Sequence, residues 1–336
     1  MEAERVEAEL AAALRAASDE GATPVERAEM LMEIAMGLQL RPKSPDQLSA
    51  AIELYQRALG LCPDHERPLR GRITARKATA LQAVPGEGHE SLEAARAAHE
   101  SALLLLRDGG RPEELAEIEM NLGLVLQTLA SVNRARITDA IAAYQRALLT
   151  FDKARFPREF AILQSNLATA FLSMPFTDER GKMREALAVA AFEEGLSVVN
   201  LIDHPAEYAM LQNNLGNALQ YASSSHAVEN NLRALEAYDE ALKVRSREAM
   251  PLEYANTISN RANCLWNLPD DAGAPAHGNR KNQLAAKAAY SEARAIFAAH
   301  GEHAKARIAG EACEEIDREM LSQADQTEFH SNGSST

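Results

Sequence analysis

One short stripe of apolar positions recurs along the chain. Tyr55-Gln-Arg-Ala-Leu59, His99-Glu-Ser-Ala-Leu103, Tyr144-Gln-Arg-Ala-Leu148, Phe192-Glu-Glu-Gly-Leu196, Tyr238-Asp-Glu-Ala-Leu242 and Tyr290-Ser-Glu-Ala-Arg294 follow one template. In most of them an aromatic ring is followed at +3 and +4 by Ala and Leu, with polar residues between. Residues three and four apart share one helix face, so the template predicts six amphipathic helices. A seventh stripe, Ile308, Cys313, Ile316 and Met320, predicts a further helix near the end of the sequence.

A second set of markers lies between these helices. Six prolines stand at 24, 68, 112, 157, 205 and 251, separated by 44, 44, 45, 48 and 46 residues. Five of them open the phrase Pro-x-Glu-x-Ala, as in Pro112-Glu-Glu-Leu-Ala116 and Pro205-Ala-Glu-Tyr-Ala209; only Pro68 departs from it. Proline suits the first turn of a helix, where its missing N–H is not needed. A glutamate two residues on faces the positive end of the helix dipole. Thr23 with Glu26 reads as a capping box, and Ser44-Pro-Asp-Gln47 reads as another. Each unit is therefore a helical hairpin, and the first helix begins at its proline.

Nine residues after the proline come Asn121-Leu-Gly123, Asn166-Leu-Ala168, Asn214-Leu-Gly216 and Asn260-Arg-Ala262; repeats 1 and 2 carry Glu33-Ile-Ala35 and Lys77-Ala-Thr79 instead. The small third residue predicts a close approach between the two helices of a pair. The organisation that follows is a flanking helix in 1–22, six repeats over 24–300, a capping helix in 301–323 and a Ser/Asn/Gly-rich disordered tail in 324–336. Such caps are expected because each repeat buries its faces only against neighbours.

Asn-Leu-Gly-Asn-Ala (214–218), followed by Ala-x-x-x-Tyr-x-x-Ala-Leu (234–242), resembles the tetratricopeptide repeat. The run 205–254 is similar to the long bacterial repeats found in front of CHAT protease-like domains. The usual unit has about 34 residues; the surplus here falls at Ser223–Asn230 and Pro269–Asn282, the second of which is expected to be the most mobile loop. No CHAT-like segment follows the repeats, so the activity of such fusions is not expected. The resemblance implies an all-α, right-handed α-solenoid of six hairpins whose first helices line a concave groove. On that pattern the groove positions are Glu29, Met32, Glu33 and Met36; Ile73, Arg76, Lys77 and Ala80; Glu117, Met120, Asn121 and Leu124. The later repeats supply Ile162, Ser165, Asn166 and Thr169; Met210, Asn213, Asn214 and Asn217; Asn256, Ser259, Asn260 and Asn263.

Asparagine concentrates in that set. An Asn side chain offers a donor and an acceptor, matching the N–H and C=O of an extended backbone. Asn121, Asn166, Asn213, Asn214, Asn217, Asn256, Asn260 and Asn263 are therefore candidate peptide-binding residues, the alternative being that they tie neighbouring helices together. Arg76 and Lys77, with Arg70 and Arg72 nearby, are candidate cations for a peptide carboxylate, or else a basic face balancing an acidic chain.

Composition narrows the function classes. Of 336 residues, 5% are aromatic and the formal net charge is −14, which disfavours a nucleic-acid partner. No apolar run approaches the ~18 residues of a membrane span, and a cytoplasmic location is expected. Cys62, Cys264 and Cys313 lie far apart and read as small core residues or free thiols. Gly181-Lys182 lacks the glycine loop of a phosphate site. His300 and His303, the one close histidine pair, read as a solvated turn, and Glu193-Glu194 and Glu314-Glu315 as solvated faces. No cofactor, metal or catalytic residue is expected. The reading that follows is a scaffold binding a protein or peptide segment, with a ligand-responsive regulator and an enzyme using the groove as alternatives.

Overall fold

The computed structural model describes residues 2–17, 21–40, 42, 44–85, 89–175, 179–222, 226–274 and 278–333. Among them are fourteen helices and no strand. The first helices of the six hairpins are α2 (Pro24–Leu40), α4 (Arg67–Gln82), α6 (Pro112–Ser131), α8 (Pro157–Leu172), α10 (Pro205–Gln220) and α12 (Pro251–Trp266). Five begin on the marker proline, and Pro68 is the second residue of α4. Their partners are α3 (Pro45–Leu61), α5 (Glu90–Leu106), α7 (Ile137–Leu148), α9 (Glu179–Leu196), α11 (Ala227–Leu242) and α13 (Arg280–Ala299). The chain divides into two compact units, Met1–Phe156 and Pro157–Thr336.

In the first unit α1 (Glu2–Ala16) packs on α3 and α2, and the first helices α2, α4 and α6 touch in sequence. In the second, α8, α10 and α12 touch in the same way, and α14 (His303–Gly333) packs on α13. Each unit thus contains a continuous wall of first helices.

The caps follow the sequence in one case and depart from it in another. Thr23 and Glu26 form the expected box: the Thr23 N–H and hydroxyl donate to Glu26 Oε2 at 2.8 Å, and the Glu26 N–H donates to Thr23 Oγ1 at 3.2 Å. Glu114 likewise accepts the Arg111 N–H at 2.9 Å. Ser44 occupies the cap position of α3, but its hydroxyl is buried and makes no cap hydrogen bond. That box does not form; the Gln47 N–H reaches the Ser44 carbonyl instead.

Inside the hairpins the recurring ring is buried, and in repeats 1, 3 and 5 its polar tip meets a glutamine that the hydrophobic pattern does not mark. The Tyr55 hydroxyl donates to Gln39 Oε1 at 2.7 Å and the Tyr144 hydroxyl to Gln127 Oε1 at 2.8 Å. The Tyr238 hydroxyl lies 2.8 Å from Asn217 Oδ1 and 2.9 Å from Gln220 Oε1. All three glutamines stand fifteen residues after the repeat's proline; repeat 4, where the ring is Phe192, has Leu172 there. The latch pairs polar with polar, because a buried acceptor left unpaired costs about 1–3 kcal/mol. Tyr144→Phe is expected to lose about that much in urea denaturation, and Gln127→Leu in the same chain to restore part of it, since removing both partners removes the unpaired group. If the double variant is no more stable than Tyr144→Phe alone, the hydroxyl–glutamine latch is not what holds the site.

The last helix shows a shifted stripe. Ala309, Cys313, Ile316 and Met320 pack against Ala262, Leu265, Ala286 and Tyr290, whereas Ile308 is 58% exposed. Glu319 accepts from Trp266 Nε1 at 2.7 Å and from Gln283 Nε2 at 3.1 Å, and Asp317 pairs with Lys287. The backbone of α14 continues to Gly333, beyond the capping helix expected to end at 323. From Leu321 to Asn332 there is neither proline nor glycine to stop it; residues 334–336 lie outside the described residues. The two repeat insertions include 223–225 and 275–277, which also lie outside them. The base of the second is tied. Asp270 accepts the N–H groups of Lys281 and Asn282, and the Asn282 amide donates to the Leu268 and Pro269 carbonyls. The three cysteines are free and buried, and burial pushes the Cys264 thiol up to about 12.

Candidate functional site

In the first unit the wall is charged, and its charges are used between repeats. Arg72 Nε donates to Glu114 Oε1 at 2.8 Å, and Arg76 donates to Glu117 Oε1 at 3.2 Å, both linking α4 to α6. Burial alone would raise the Glu114 carboxyl, but the Arg72 guanidinium and the Arg111 N–H bring it down to about 2. Arg70 faces the other way and donates to the Leu59 and Cys62 carbonyls at the end of α3. The arginines expected to clamp a carboxylate are therefore engaged: a ligand carboxylate at Arg76 would meet Glu117 already in place. Lys77 is half-buried and has no ion pair among the described residues, and Asn121 makes no side-chain hydrogen bond among them. Met30, Met32 and Met36 pack against the core of repeat 1.

The second unit is different in kind. At the groove positions of α8, α10 and α12 there is no charged residue in a chain that is 25% charged. The amides there fall into two groups. One group ties helices. Asn213 is buried, and its Oδ1 accepts from Thr257 Oγ1 at 3.2 Å and Asn260 Nδ2 at 3.4 Å, joining α10 to α12. Asn213 Nδ2 donates to Asn214 Oδ1 at 3.3 Å, and Asn214 Nδ2 reaches Ser165 Oγ on α8 at 3.4 Å. Asn217 belongs to the Tyr238 latch, and Asn263 Nδ2 donates to the Tyr221 hydroxyl at 2.9 Å. The hydrogen bonds of Asn213 and Asn217 thus run within the scaffold, and which neighbouring helix each meets could not be read from spacing alone.

The other group keeps hydrogen-bonding capacity. Among the described residues, Asn166 Nδ2 and Ser259 Oγ are buried without a partner, and the Asn256 side chain makes no hydrogen bond. Asn214 and Asn260, joined to the network only by contacts of 3.3–3.4 Å, are half-buried and retain donors and acceptors. The surface is a sheet of amides and hydroxyls on three adjacent helices, partly self-bonded.

His300 Nδ1 hydrogen-bonds the Ile296 carbonyl at 2.9 Å, next to Gly301, whose φ of +77° turns the chain between α13 and α14. Among the described residues no three His, Cys, Asp or Glu side chains converge as for a metal ion, and no helix is long and apolar enough to cross a membrane.

No protein-family model matches the chain, and no curated protein sequence does. Solved structures are similar to it, two of them as follows. BtubC (BKLC) from P. vanneervenii is 19% identical, over 72% of this chain and 89% of that one, with a TM-score of 0.48. A Rap protein complexed with Competence and Sporulation Factor is 11% identical, over 96% of this chain and 99% of that one, with a TM-score of 0.37.

Proposed function

We propose that the chain is a binding module for a protein or peptide segment, and that the first-helix wall of the second unit reads an extended, uncharged stretch of its partner. The observation that carries this is the uncharged amide surface of α8, α10 and α12, including buried groups at Asn166 and Ser259 that lack partners among the described residues. A buried donor or acceptor without a partner is destabilising by about 1–3 kcal/mol, so a ligand backbone that pairs with it gains affinity. The hairpins' resemblance to tetratricopeptide repeats supports the same reading. Binding is favoured over catalysis because amides and hydroxyls donate and accept hydrogen bonds but do not exchange protons near neutral pH.

The two groups of asparagines sharpen the test. Peptides selected from a random library for binding to the full chain supply the probe, with affinity measured by calorimetry. Asn166→Ala with Asn256→Ala is expected to weaken binding roughly five- to 150-fold, about 1–3 kcal/mol, with the melting temperature unchanged. Uncharged contacts make that loss insensitive to salt. Asn213→Ala is expected to do the reverse, lowering stability first. Unchanged affinity in the Asn166/Asn256 variant would remove the wall as the reader.

A further inference from the structure

In repeats 1, 3 and 5 the recurring ring is a tyrosine latched to a glutamine, and in repeat 4 it is Phe192; repeat 2 alone places an imidazole there. His99 is fully buried, and neither Nδ1 nor Nε2 has a hydrogen-bond partner among the described residues. Beside it lies a recess of about 40 Å³ lined by residues of α4, α5 and α6, all within the first unit. One water needs roughly 10–15 Å³, so the space suits a group of about three non-hydrogen atoms.

We propose that this recess is a binding site for a small uncharged group that both donates and accepts hydrogen bonds, the chemistry of a primary carboxamide. Charge decides against ions. Arg72 and Arg76 line the recess but are paired with Glu114 and Glu117, which line it too. An anion would face two carboxylates and a cation two guanidiniums, and an unpaired ion is costly to bury. Hydrogen bonding decides for an amide. A neutral imidazole offers one donor and one acceptor, and burial, which pushes His99 down to about 4, keeps it neutral near pH 7. Asn121, also lining the recess, adds an amide with no hydrogen bond of its own among the described residues. The carbon, oxygen and nitrogen of a carboxamide match both the volume and the donor–acceptor count. Access is from the first-helix wall, where the Arg76 and Glu117 side chains are 42% and 45% exposed. The group can come from a free amide or from the Asn or Gln side chain of a peptide lying on that wall; only the second source rests on the function proposed above.

The test uses the full chain labelled with ¹³C,¹⁵N-histidine, with the His99 ring signals assigned by their loss in His99→Tyr. Acetamide is expected to shift those signals saturably in the millimolar range, while acetate and methylammonium do not. His99→Phe, which copies repeat 4, and Asn121→Ala, a half-buried wall residue, should each weaken acetamide binding at least tenfold without lowering the melting temperature. Ala-Gln-Ala binding more tightly than acetamide, with Ala-Leu-Ala inactive, assigns the site to a peptide side chain. Acetamide binding with no gain from Ala-Gln-Ala assigns it to a free amide and leaves the second unit's wall untouched. No saturable acetamide shift, an equal shift with acetate, or undiminished binding in both variants overturns the proposal.

Discussion

Gly216→Ala is expected to destabilise the chain by about 1–3 kcal/mol, and Gly216→Leu by more, although alanine is the better helix former by about 1 kcal/mol. The reason lies across the hairpin. A Cβ on Gly216 would sit 2.6 Å from Cε1 of Tyr238, and one on Gly123 would sit 2.4 Å from Cε1 of Tyr144. Both rings are fully buried, and both are anchored at the hydroxyl by the glutamine latch, so neither can swing aside. The glycine is thus the socket for the partner helix's ring. Gly37 supplies the opposite sign from the same kind of helix. It lies within α2 with nothing within 4 Å of its would-be Cβ, so Gly37→Ala should stabilise by roughly 0.5–1 kcal/mol. Thermal or urea unfolding of the three variants checks this. If Gly216→Ala raises the melting temperature as Gly37→Ala does, the ring-in-socket assignment is wrong.

What the sequence could reveal follows from how local each feature is. The helix starts depend on a proline, a glutamate and the dipole within one turn, and all six prolines mark first helices. The socket was legible too, because a small side chain at one fixed helix position of each repeat leaves room for a neighbour's ring. The glutamine latch was written in the sequence, in the coincidence of Gln39, Gln127 and Gln220 with Tyr55, Tyr144 and Tyr238, but it emerges only when two positions are compared across repeats. The asparagines were harder. Asn213 and Asn214 are neighbours with the same chemistry, yet one faces Thr257 on α12 and the other Ser165 on α8. Ile308 missed the core for a similar reason: the stripe that packs is Ala309, Cys313 and Ile316, and alanine, with its single methyl, is easily overlooked beside isoleucine when a face is traced by hydrophobicity.

Acidification from pH 6.5 to 4 is expected to cost the folded chain on the order of 3 kcal/mol through His99 alone. Burial pushes this imidazole from its ordinary 6.5 down to about 4. Between those values the unfolded chain binds a proton at His99 that the folded chain refuses, so unfolding is favoured as pH falls. The contribution is complete above pH 6.5, declines through the window and changes no further below 4. About 2.5 pH units at roughly 1.4 kcal/mol each sets the size. Other groups titrate in the same range, so the measurement is a difference: urea unfolding of the native chain and of His99→Phe at pH 7.5, 5.5 and 4.5. The native chain should lose about 2.5 kcal/mol relative to the variant across that span, since pH 4.5 stops short of the end of the window. Below pH 4 both chains should weaken together as Glu114, held near 2 against its burial by Arg72 and the Arg111 N–H, loses the advantage of its ion pair. A difference that stays flat from pH 7.5 to 4.5 means that His99 takes up its proton in the folded chain as readily as in water. The ring would then be solvated rather than enclosed, and the carboxamide recess beside it would lose its floor.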